Sequence, residues 1–201
     1  MKTDSIKMIL NSKFGPQESY SEDQLQQISS LTINRFDVVG DFLSIEPEEL
    51  LKFPNLRRLA LDQCVLGSDF IAILVQLKNL ETLSLYHCEF MGHAEALFQM
   101  PYLKKILLDS TEIPMSYLKD GMFTSITLSN IEINENVFFY TDILDISKAD
   151  VSNWNIIHSK IGKLIVSESQ FQKNRELQNY SSSIEVRDDI DSNTILEEVN
   201  V

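Results

Sequence analysis

Cys64 and Cys88 stand 24 residues apart, with His87 directly before the second of them. Cysteine and histidine are the side chains that hold zinc, and a cysteine pair can also close a disulfide. Zinc fails here on parity. In an extended segment successive side chains point to opposite faces, so His87 and Cys88 diverge and cannot meet on one ion. His93 and His158 have no cysteine or carboxylate at a spacing that would fix a metal or a catalytic pair. The chain contains no G-x-S-x-G, no G-x-x-x-x-G-K and no H-E-x-x-H, and its six glycines are scattered singly, which leaves no phosphate-cradling loop. Enzyme chemistry is therefore not expected, and neither is a metal or cofactor.

The elements that must position these residues announce themselves by repetition. Leu56, Leu59, Leu61, Cys64 and Leu66 form L-x-x-L-x-L-x-x-C-x-L, and Leu80, Leu83, Leu85, Cys88 and Phe90 repeat it. A third copy runs Leu103, Ile106, Leu108, Thr111, Ile113, and a fourth Phe123, Ile126, Leu128, Ile131, Ile133. Fainter copies start upstream at Ile28, Leu31, Ile33 and Phe36, and continue downstream from Leu144, Leu164 and Ile184. Measured between first strand positions (Leu31, Leu59, Leu83, Ile106, Ile126, Leu144, Leu164, Ile184), the steps are 28, 24, 23, 20, 18, 20 and 20 residues. Eight copies in register form a signal that takes precedence over any local motif.

These copies resemble leucine-rich repeats. The resemblance implies an α/β fold: a right-handed solenoid with a parallel β-sheet on its concave face and helices or 3₁₀ turns on its convex face. Each L-x-L alternates apolar with polar residues, the period of a strand with one buried face. In the second and third coils the crossover has room for a helix, capped by Ser68 or Asp69 and carrying Phe70, Ile71, Leu74 and Leu77, then another over His93–Gln99. Later coils, at 18 to 20 residues, are expected to use extended or 3₁₀ segments such as 134–140 and 153–157. The ninth repeat position turns inward, where buried backbone groups need a partner. The family usually places Asn there. This chain has Cys64, Cys88, Thr111, Ile131, Ala149, Ser169 and Asp189, of which Ile131 and Ala149 cannot make the bonds. On this reading the two cysteines lie about one strand spacing, ~4.8 Å, apart; that is within disulfide reach, but in a reducing compartment they are expected to stay free thiols.

Residues 1–30 do not repeat and read as an N-terminal helical cap. Asp4 or Ser5 caps a helix through Lys13, Gly15-Pro16 ends it, and Ser21-Glu22-Asp23-Gln24 opens a second with a capping box. This order, followed by the Leu31-Thr32-Ile33 strand, is similar to the cap of internalin-like bacterial leucine-rich repeat proteins. Residues 31–189 then form about eight coils and 190–201 a tail or capping strand, all within a single structural domain.

The net charge of −13 argues against nucleic acid and against anionic membranes, both of which need clustered cations. The longest apolar run, Phe70–Val75, is far short of the roughly 20 residues that span a bilayer. Asp4, Asn11 and Ser12 break any signal-peptide core, so a cytoplasmic protein is expected, or a secreted one if the sequence is a fragment of a longer chain.

Binding is then the expected function, on the sheet face that the repeat leaves outward. Most residues there are small and polar. Tyr86, His87 and Leu107 stand out, with Lys105 and Asp109 beside them, and Ile143 with Ile165 forms a second patch. Aromatic and aliphatic anchors inside a polar rim are the composition of a binding hot spot. The resulting expectation is a non-enzymatic module that grips a protein partner. The alternatives are a substrate-recognition or regulatory subunit for a separate enzyme, and a structural module that self-associates through a C-terminal edge strand, Ile195–Val201.

Overall fold

A computed structural model describes residues 5–34, 47–119, 121–133, 137–152 and 159–188. Within them the L-x-L segments are strands, all parallel, assembled into one eight-stranded sheet. In chain order these are β1 (Ser30–Asn34), β2 (Arg58–Asp62), β4 (Thr82–Tyr86), β6 (Lys105–Asp109), β7 (Ser125–Glu132), β8 (Tyr140–Asp150), β9 (Lys160–Ser167) and β10 (Ser181–Arg187), each bonded to the next. Two short strands that the repeat pattern does not flag, β3 (Val65–Gly67) and β5 (Glu89–Met91), pair in parallel as a separate ribbon just past β2 and β4.

Register follows the hydrophobic pattern because a slip of one residue would turn every buried side chain outward. Leu31, Leu59, Leu83, Ile106, Ile126, Leu144, Leu164 and Ile184 are successive partners across the sheet. The first seven are buried and Ile184 is half-buried. The second column, Ile33, Leu61, Leu85, Leu108 and Leu128, is buried as well. Between β7 and β8 the pairing shifts at Thr127/Ser129 and again at Ser129/Glu132, so each strand accommodates an extra residue and the ladder bends there.

The sheet packs its inner face on the crossover segments. Leu50 and Phe53 come from a 3₁₀ helix and its end (Pro47–Lys52), and Ile71, Ile73 and Leu74 from α3 (Ser68–Leu74). Leu97 and Phe98 come from α4 (Glu95–Phe98), and Met115 and Leu118 from a 3₁₀ turn. Each such side chain is worth roughly 1.5–3 kcal/mol of burial. The N-terminal block supplies α1 (Ser5–Phe14) and α2 (Glu22–Gln26), whose neighbourhood adds Ile6, Leu10 and Ile28 to the same core. Ser21 and Gln24 make the expected reciprocal capping box. Two helix details differ from expectation. The cap of α3 is Gly67 rather than Ser68 or Asp69, with no side-chain bond, and α4 has only four residues. The last crossover, expected to lack a helix, carries α5 (Glu168–Lys173), whose Ser167–Gln170 capping box is legible as S-x-x-Q. Phe36, residues 134–136 and 153–158, Asp189 and the segment 190–201 lie outside the described residues.

Two seams join each unit to the next. At the start of the strands one carbonyl takes two amides from the following unit. Ser29 O accepts from Arg57 N and Arg58 N, Arg57 O from Glu81 N and Thr82 N, and Glu81 O from Lys104 N and Lys105 N, all at 2.8–3.0 Å. Past the strand ends the chain turns through a left-handed residue at the same repeat position each time: Gln63, His87, Ser110 and Asn130 have φ of 51°, 50°, 47° and 50°. Their amides continue the ladder, as in His87 N to Asp109 O at 2.8 Å.

Candidate functional site

The ninth-position residues close the second seam. Cys88 Sγ donates to Leu61 O and Tyr86 O, both at 3.4 Å. One unit later Thr111 Oγ1 meets Leu85 O at 3.3 Å and Asp109 O at 3.0 Å, and it accepts the Cys88 amide at 3.0 Å. Both cysteines are free, as expected, but only Cys88 is buried; Cys64 is half-exposed. Cys64 Sγ donates to Asp62 O at 3.3 Å. The neighbouring Cys88 thiol, then burial and the Asp62 charge, pushes the Cys64 thiol well above its ordinary pKa, while the Cys64 thiol lowers Cys88. Each thiol is thus engaged with backbone carbonyls at the strand ends.

Ile131 and Ala149 make no ladder bonds with their side chains, and the structure answers at Ala149 with a residue the repeat pattern does not single out. The Gln170 side-chain amide donates to Ile146 O at 2.8 Å and Ala149 O at 2.7 Å, and its oxygen accepts Ser167 N at 2.8 Å. One glutamine thus caps α5 and satisfies the preceding unit.

On the outward face Tyr86 and Leu107 occupy adjacent strands diagonally, since Tyr86 pairs with Asp109 and Ser84 with Leu107. Both keep partial solvent access above a floor of Ala60, Ser84 and Thr127. Burial, with the Asp109 and Asp62 charges, raises the Tyr86 pKa against a lowering bond from Ser84, so its hydroxyl stays a neutral donor. His87 is exposed, and its Nδ1 sits 3.3 Å from Asp62 Oδ1. Its backbone is set by the left-handed turn.

Two expected rim or patch residues are buried where they stand. Asp109 is buried, because Ser110 Oγ and Asn130 Nδ2 each donate to its Oδ1 at 2.9 Å and enclose it at the strand end. Ile165 points away from the main core, yet only 5 % of it is accessible. Charged neighbours explain this. Asp145 and Glu185 are its partners on either side, Arg187 reaches across β9 to bond Asp145 at 2.9 Å and also bonds Glu185, and Lys163 pairs with Glu185. The aliphatic stems of such side chains cover apolar surface while their heads remain wet. Ile143 remains 38 % exposed at the start of β8. The second patch is therefore Ile143 alone.

Two strands of the face are also electrically polarised: Arg58 and Lys105 start β2 and β6, and Asp62 and Asp109 end them. Beside Lys105 opens a cleft of about 310 Å³ between Arg57, Arg58, Lys104 and Lys105, with Ser29, Glu81 and Thr82 completing it. The sequence signal for it is legible in retrospect as N-L-R-R-L and Y-L-K-K-I, paired cations at one repeat position. A wider cleft, about 660 Å³, runs along the starts of β8, β9 and β10 between Tyr140 and Tyr180. Among its described lining residues only Asp142 and Lys160 are charged, and both are exposed. Ser181 Oγ, buried there, has no partner among the described residues.

Among the described residues no group of three or more His, Cys, Asp or Glu side chains could hold a metal ion. No described helix is long and apolar enough to cross a membrane. His93 is exposed, and His158 lies outside the described residues. No protein-family model matches the chain, and no curated protein matches it at a significant level.

Proposed function

We propose that the chain is a non-enzymatic protein-binding module of the leucine-rich repeat type, a right-handed solenoid that receives its partner on the outward, concave face of the sheet. The observation that carries this reading is the pair Tyr86 and Leu107. They are the large apolar side chains on the outward positions of β4 and β6, and they keep solvent access, with Ser84 and Thr127 flanking Leu107 and Asp62 and Asp109 flanking Tyr86. Strands held at both ends by hydrogen-bonded seams place these anchors on a rigid support, which keeps the ordering cost of binding low. Lys105 supplies a charged rim on the same strand. The hydrogen-bonded free thiols suit a reducing, cytoplasmic setting.

The test is to recover a partner with the chain as bait and then titrate it by calorimetry against Tyr86→Ala and Leu107→Ala. Truncating a hot-spot side chain costs on the order of 2 kcal/mol, about a thirtyfold loss of affinity. Both variants should melt within a few degrees of the wild type, since ~1 kcal/mol corresponds to about 2–4 °C at this size. Wild-type affinity in both variants would remove the outward face from consideration.

A further inference from the structure

We infer that the cleft formed by Arg57, Arg58, Lys104 and Lys105 is a docking site for an acidic peptide segment of the partner, lying across the starts of β2, β4 and β6. This rests on the reading of the outward face as a protein-binding surface and names the chemistry of the partner's edge. The chain carries 30 acidic against 17 basic residues, yet four of those cations meet here around a single carboxylate, Glu81. Glu81 engages Arg57 at 3.5 Å. Arg58, Lys104 and Lys105 are exposed and make no ion pair among the described residues. The global negative charge does not cancel this local reversal, because at physiological salt charges beyond ~8 Å are largely screened.

Geometry selects the form of the anion. Arg58, Thr82 and Lys105 are register partners on three neighbouring strands, which puts the two cations about 10 Å apart. Successive same-side carboxylates of an extended chain stand about 7 Å apart, a difference that the long arms of Arg58 and Lys105 can close, whereas one compact ion would have to draw both cations to a single point. A phosphate cradle would need free backbone amides. The amides of Arg57, Arg58, Glu81, Thr82, Lys104 and Lys105 are all consumed by the carbonyls of the seam. Side chains alone remain to bind, and they are arranged in a row. Leu107 follows Lys105 by two residues on the same face, so a segment anchored at Tyr86 and Leu107 continues directly over the cleft.

The test uses the whole chain and a short fluorescein-labelled peptide alternating Glu with Ser, followed by fluorescence anisotropy at about 0.15 M salt. The wild type should bind it, less tightly as salt rises, and should not bind the Lys/Ser counterpart. The double variant Arg58→Glu/Lys105→Glu should lose about tenfold or more in affinity, and Arg58→Ala/Lys105→Ala about threefold, with melting curves superimposed on the wild type. Because the peptide has no apolar anchor, Tyr86→Ala/Leu107→Ala should bind it as wild type does. Failure of the wild type to bind, or equal binding by both cleft variants, overturns the proposal. So does tighter binding of single-stranded DNA of matched charge, which would make the cleft a nucleic-acid site. Loss of peptide binding in the cleft variants beside an unaltered Tyr86→Ala partner affinity would sink the outward-anchor reading alone, and the converse pattern the cleft alone.

Discussion

Arg187 and Asp145 are 42 residues apart in the chain and joined by a 2.9 Å hydrogen bond from Nη1 to Oδ2. The bond spans from β10 to β8 over the strand between them, and beneath it lies Ile165. An isoleucine on the polar face of a sheet is thereby shielded from water by charged side chains.

Ile165→Ala should consequently behave as a core truncation, lowering the free energy of unfolding by about 2 kcal/mol in urea titrations. A surface position would move it by no more than about 0.5 kcal/mol. Arg187→Ala should cost less than the isoleucine truncation. A double-mutant cycle with Asp145→Asn should return a coupling of about 1 kcal/mol, at the upper end for a partly exposed pair because Asp145 is itself only 13 % accessible.

Glu185 titrates in the same group. Hydrogen bonds from Lys163 and then Arg187 hold its carboxyl below the ordinary value of 4.5, against the opposing effect of desolvation and with smaller help from the two charges. A lowered folded-state pKa gives stability that is complete above the unfolded value and lost as the pH falls through the folded one. Wild type should therefore be more stable than Glu185→Gln near neutral pH, and the difference should shrink as the pH is taken below about 4.5. Urea midpoints measured across that range check it. A difference that grows on acidification would contradict the assignment.

Left-handed backbone at His87 makes a prediction about residue type. His87→Gly should be neutral or stabilising, since glycine adopts this conformation freely, whereas His87→Val should cost about 1–2 kcal/mol despite the exposure of the side chain. Thermal melts of the two variants moving together would show that the turn does not hold this geometry.

Gln170→Ala removes three hydrogen bonds and leaves Ile146 O and Ala149 O without their donor. The expected loss is about 1–3 kcal/mol. Amide exchange should quicken in β8 and α5 together while β2 and β4 stay protected. Quickening confined to α5 would mean that the glutamine acts as a cap and nothing more.

Much of this was legible from residue spacing, and the exceptions have physical causes. The parallel order and the register of Leu59, Leu83 and Ile106 follow from period-2 burial repeated at about 20-residue steps, which admits few other arrangements. Tyr86 and Leu107 fall at the outward positions for the same reason. Ile165 was misread because periodicity tells which face a residue takes and not what neighbouring side chains do above it. Asp109 was misread likewise, its burial being made by Asn130 from the next strand and its own neighbour Ser110. Gln170 carries no mark in the repeat because it compensates for Ala149 from 21 positions away. The basic cleft needed only the comparison of Arg57-Arg58 with Lys104-Lys105 at equivalent positions.

The doubled carbonyls at Ser29, Arg57 and Glu81 have a further implication for how such a chain changes length. Each accepts only from the unit that follows, and each unit brings amides for the carbonyl before it. A segment cut or duplicated from one such carbonyl to the next leaves every backbone group of that seam with a mate. Leu83 would then sit beside Leu31 as comfortably as Leu59 does. The molecule is extensible by whole paragraphs, so that gaining or losing a unit is gentler than inserting a single residue within one.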